Sequence, residues 1–139
     1  MRRFLSYSAS LPIASIGLLI LRVGFGSLLM LHGYDKIMHF SEFKTQFISF
    51  LGLSPATSLG LVIFSEFICS IFVILGFLTR FACVPVVISM SVAVFMAHGG
   101  DVTGKGQAAT LFLLPYLVLL FTGAGKYSLD AIFYKRAAH

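Results

Sequence analysis

Apolar side chains in this chain come in long runs, not at alternate positions or on one helical face. About 20 helical residues span the ~30 Å hydrocarbon core of a bilayer. The runs predict membrane-spanning helices over residues 11–34, 56–78, 81–98 and 107–122. Between the first two, Phe40, Phe43, Phe47 and Phe50/Leu51 recur at helical spacing, with Ser41, Glu42, Lys44, Gln46 and Ser49 among them. That segment reads as an amphipathic helix lying in the outer interface. Ser54-Pro55 supplies an N-cap and a first-turn proline for the second span. Gly76 and Leu78-Thr79-Arg80 form a tight hairpin into the third, followed by a glycine-rich, flexible outer loop from His98 to Gly106. Gly123-Ala124-Gly125 stops the fourth span, and Ser128 caps a last short helix. The expected fold is all-α: one domain over residues 1–139, an integral-membrane bundle of four transmembrane helices.

Composition agrees with the pattern. With 58% hydrophobic and 11% charged residues, the chain has too little polar surface to coat a soluble globule. Four spans put both termini on one side, with Arg2, Arg3, Arg80, Lys126, Lys135 and Arg136. Lys36, Lys44 and Lys105 fall on the other, so both termini are expected in the cytoplasm. This asymmetry and anionic headgroups account for the net charge of +5, which gives no reason to invoke nucleic acid. Arg2-Arg3 is not expected to introduce a cleaved leader, because the apolar run is too long and Arg22 interrupts it.

Two charges inside the spans carry the functional signal. By the helical rise, Arg22 lies about 15 Å below His32 and Glu66 about 12 Å below Ser58. A charge near the middle of a span costs about 2.5–3.5 kcal/mol, so opposite charges at one depth are expected to pair. His32 and Lys36 end the first span, His98 ends the third and Gln107 starts the fourth. These six residues, Arg22, Glu66, His32, Lys36, His98 and Gln107, form the candidate ligand-binding set of an outward-facing polar pocket. A helix–helix clasp is the other reading of the Arg22–Glu66 pair. No HxxxH or HxH spacing suggests a metal site. Cys69 and Cys83, without a CxxC, read as buried small apolar residues.

LRVGFGSLLMLHGYDKI, SEFICSIFVILGFLTR, MAHGG and GAGKYSLD stand in an order and spacing that together resemble DoxX-type membrane proteins over nearly the whole length. The resemblance implies a small four-span protein of the bacterial inner membrane. Some relatives are linked to quinone-coupled oxidation of sulfur compounds such as thiosulfate, others to enzymes handling oxidative and thiol stress. Many relatives carry a glutamate at the start of the fourth helix, where this chain has Gln107.

Three functions compete on this basis. The first is a membrane subunit of a quinone- or thiol/sulfur-linked redox system, with quinone or a small sulfur anion as ligand and a redox-enzyme partner or a second copy beside it. No haem-ligand pair or flavin fingerprint suggests an autonomous redox centre, and the catalytic residues stay unassigned. The second is a non-catalytic scaffold or small-ligand-binding protein. The third, a small four-span exporter, is disfavoured because its first helix should carry an unpaired glutamate and here carries Arg22.

Overall fold

The computed structural model describes residues 10–137, so Arg2 and Arg3 lie outside the described residues. Among the described residues the secondary structure is helical, with no strand. Helix α1 runs over Leu11–Met38 and α2 over Phe40–Gln46. Helix α3 covers Pro55–Leu75 and α4 covers Thr79–Ala97; each contains a single π-turn, at Phe64–Ile68 and Ala93–Ala97. Helix α5 is Gln107–Thr122 and α6 is Leu129–Ala137. By length and composition α1, α3 and α4 are long enough to cross a membrane, while α5, at 16 residues, is shorter.

Local signals set several boundaries. The Ser54 side chain accepts the Thr57 N–H at 3.2 Å, with Pro55 in the first turn, so α3 starts where the cap and proline put it. Gly76 ends α3 in the left-handed region at φ 68°. The amide groups opening α4 are capped from outside their own helix. Asp130 accepts from the Leu78 N–H at 2.7 Å and the Thr79 N–H at 3.0 Å. Ser128 accepts the Ala131 N–H at 3.2 Å and so opens α6. The amphipathic segment is helical only to Gln46; Phe47 turns extended and the chain reverses through Leu51 and Gly52 at positive φ. The loop from His98 to Gly106 is more ordered than its glycines suggest. Asp101 accepts the Gly104 and Lys105 N–H groups at 2.9 and 3.1 Å.

Helix α1 packs on α3 and α5, and α4 packs on the same two, closing a ring. Inside it lie Leu29, Cys69, Val73, Ala82, Cys83, Val86, Met90, Phe112, Tyr116 and Leu119. Both cysteines are buried free thiols. Ser70 and Tyr116 satisfy each other's buried hydroxyls at 2.9 Å. Phe81 and Phe121, each about three-quarters exposed, point out of the bundle as lipid-facing side chains do.

Lipid competes with apolar packing, so helices in a bilayer associate largely through close van der Waals fit at small residues. Two glycines on one face of α1 provide it. A Cβ on Gly33 would stand 2.8 Å from the Phe67 nitrogen, and one on Gly26 would stand 2.6 Å from an Ile74 side-chain carbon. These contacts set the register of α1 on α3: residue 33 meets residues 66–67, and residue 26 meets 70–74.

Candidate functional site

That register decides which charges meet. Lys36, one turn beyond Gly33, donates from Nζ to Glu66 Oε2 at 2.6 Å. The Glu66 side chain is 5% exposed and the Lys36 side chain 23%, so the pair lies at the inner end of a wet-to-dry gradient. Glu66 sits within the Phe64–Ile68 π-turn. Such insertions rotate the side chains that follow relative to a regular helix and frequently mark functional sites.

The pair faces a cavity of about 670 Å³ lined from α1, α3, α4 and α5 and roofed by the α2–α3 connector. Its walls are mostly apolar, with Leu29, Val62, Met90 and Phe112 among them. Its polar groups are Lys36, Glu66, His32, His98, Gln46, Lys105 and the serines 58, 65 and 89. The His32 ring stands edge-on to Phe112, centroids 5.4 Å apart. His98 follows directly on the second π-turn, so both of these irregular turns serve the same cavity. Ser65 donates to the Val62 carbonyl and Ser58 accepts the Phe50 N–H at 3.0 Å, which holds the roof on α3. The Ser89 hydroxyl has no partner among the described residues.

Two of the expected ligand-binding residues stand elsewhere. Arg22 is not paired with Glu66 and does not line the cavity. It is 1% exposed and donates to the carbonyls of Val73 at 3.3 Å, Ile74 at 3.1 Å and Tyr127. A cation at the C-terminal end of α3 is favoured by the helix dipole, and its forked donors reach carbonyls of the last turn, where intrahelical donors run out. Arg22 therefore ties α1, the end of α3 and the segment before α6 together. The depth estimate failed because α1 continues past His32 to Met38 and the glycine contacts, not the helix ends, fix the register. Gly33 stands eleven positions beyond Arg22, or about 16 Å along the helix. Gln107 is exposed at the start of α5 and also stays out of the lining.

His32, Lys36, Glu66 and His98 all line the one cavity. Sequence reasoning missed the serines and Lys105. Ser65 next to Glu66 was the available signal; Ser89 and Lys105 carried none. Among the described residues no group of three or more His, Cys, Asp or Glu is placed to hold a metal. The arrangement offers a hydrogen-bonding head and an apolar body. Lys36 has donors beyond the one given to Glu66, Glu66 Oε1 is a further acceptor, and two imidazoles stand by. This is the make-up of a small-molecule site, apolar over most of its lining with a few convergent polar groups.

Comparison with known proteins places these features in one family. The DoxX family model matches residues 17–99, which include most of α1 and all of α3 and α4, with Lys36, Glu66 and His98. An uncharacterized protein of Haemophilus influenzae is 31% identical, the alignment covering 86% of this chain and 92% of that one. No solved structure matches the chain.

Proposed function

The chain belongs to the DoxX family of membrane proteins, and on that premise we propose that it binds a small molecule as a membrane subunit of a quinone- or sulfur-linked redox system. The observation that carries this reading is the cavity of about 670 Å³ with the Lys36–Glu66 pair at its dry end. An ion pair used only to join helices would be closed in by side chains. This one faces open volume. A quinone carbonyl would accept from Lys36, and the hydroxyl of its reduced form would donate to Glu66, with His32 and His98 as further partners. Electrons would pass between the bound molecule and a partner enzyme.

The same reading puts α1, α3, α4 and α5 across a bacterial inner membrane. Arg80, Lys126, Lys135 and Arg136 would lie with both termini in the cytoplasm, while α2 and the Asp101 loop would lie outside. Helix α5, about 24 Å long at 1.5 Å per residue, crosses with help from local bilayer thinning.

Purified protein in nanodiscs, titrated in turn with a quinone and with thiosulfate, tests the proposal. One of the two should bind saturably, and Lys36→Met or Glu66→Gln should weaken it roughly ten- to hundredfold, as expected for a lost charged hydrogen bond. Equal binding by wild type and both variants, or none by either ligand, leaves the scaffold reading in place.

A further inference from the structure

The cavity reaches the lipid-facing surface as well as the outer end. Leu61 and Phe64 on α3 and Ile88 on α4 line it, yet each is about half exposed. The same three residues belong to outward stripes. On α3 the stripe is Leu61, Phe64, Ile68, Phe72 and Leu75; on α4 it is Phe81, Val84 and Ile88. Steps of three and four residues keep each stripe on one helical face. Side chains that line a cavity and face lipid together mark a gap in its wall.

Helix packing explains the gap. Next to the Gly76 hairpin, Cys69–Leu75 of α3 packs closely on Thr79–Val92 of α4. Beyond the π-turn, the Pro55–Ile63 half of α3 packs on α1 and α2 instead. The two helices diverge outward from their hairpin, and the cavity occupies the space between them. Pro85 on α4 lies along its floor.

We propose that the cavity is loaded sideways from the bilayer through the α3–α4 gap, and that its ligand is a lipid-borne molecule with a small hydrogen-bonding head. The head sits at Lys36 and Glu66, and an apolar tail leaves between Leu61, Phe64 and Ile88. This rests on the ligand-binding reading and selects a tail-bearing molecule over a water-borne sulfur anion. The volume is that of a pocket for one small molecule, so a long tail needs a way out. The apolar α3–α4 gap provides it, whereas the outer mouth carries Gln46 and Lys105.

The chain has no tryptophan, so an introduced indole reports alone. Full-length Ile88→Trp, with Leu61→Trp as a second reporter across the gap, is placed in phosphatidylcholine nanodiscs. Leu114→Trp, on the lipid-facing side of α5 and outside the cavity lining, is the control. Brominated phosphatidylcholine should quench all three. A benzoquinone with an alkyl tail should quench the two gap reporters saturably, but the control only in proportion to its amount in the bilayer. Adding Lys36→Met should raise the half-saturation point roughly tenfold, and the tail-less benzoquinone should need roughly tenfold more. Gap reporters shielded from brominated lipid while the control is quenched would overturn the proposal, because the gap is then closed or covered by protein. So would a tail-less analogue that binds as well as the tailed one. Lipid quenching at the gap without a saturable component upholds the lateral opening and overturns the proposed function.

Discussion

Removing Lys36 should do more harm than removing Glu66, although they share one bond. Glu66 is 5% exposed and Lys36 23%, so Lys36→Met strands a carboxylate in the dry interior. Breaking a buried pair this way costs about 3–5 kcal/mol. Glu66→Gln leaves an ammonium on a flexible, partly exposed stem that can extend toward water, so the loss should be nearer ~1–3 kcal/mol. The double variant strands neither charge. Its loss should fall short of the sum by about 2 kcal/mol, within the range measured for residues in direct contact. Unfolding of the four proteins by detergent titration in mixed micelles gives the cycle. A second cycle, Arg22→Met with Glu66→Gln, should be additive, since Arg22 bonds to the Val73, Ile74 and Tyr127 carbonyls and not to Glu66. Coupling below about 0.5 kcal/mol in the first cycle, or comparable coupling in both, would refute the register of α1 on α3.

Three further outcomes follow from the geometry. Arg22→Lys keeps the charge but replaces a fork that reaches three carbonyls, and should lose roughly 1–3 kcal/mol in the same titration while ligand binding by the folded fraction stays unchanged. Gly33→Ala places a methyl 2.8 Å from the Phe67 backbone nitrogen, which cannot rotate away. It should lose about 1–3 kcal/mol and weaken ligand binding by parting Lys36 from Glu66, whereas Gly24→Ala, with nothing in reach, should do neither. Asp101 is held below the usual carboxylate range first by the Lys105 N–H and then by the Gly104 N–H. A depressed value means the loop is stabilised above the ordinary carboxylate range and loses this support as pH falls through the lowered value. The Gly104 and Lys105 amide resonances should move to unbonded positions over that acid range, and Asp101→Ala should place them there at every pH.

The all-helical fold was legible because apolar run length is a local property of the chain. Caps were legible for the same reason: Ser54, Gly76 and Ser128 each act within a few residues of themselves. What the sequence hid is relational. Which residue of α1 faces Glu66 depends on where Gly26 and Gly33 let two helices touch, and counting inward from estimated helix ends misses that by several turns. Arg22 looked like half of an ion pair because a buried charge demands partners, yet three carbonyls supply them. The π-turns at Phe64–Ile68 and Ala93–Ala97 have no composition of their own, so the re-aiming of Glu66 and His98 could not be foreseen. The partial unwinding of the Phe40–Leu51 segment follows from Ser58 capturing the Phe50 amide, a contact across the connector.

The account rests on the cavity at Lys36–Glu66 holding a ligand, and what the protein retains when extracted from its own membranes tests that most directly. Wild type, the Lys36→Met/Glu66→Gln double variant and Arg22→Lys are purified in parallel, and their organic extracts are compared by mass spectrometry. A single tail-bearing species with a polar head should accompany wild type and Arg22→Lys in near-stoichiometric amount and be lost from the double variant. The same species at the same level in all three, or nothing beyond bulk lipid in any, would contradict the account.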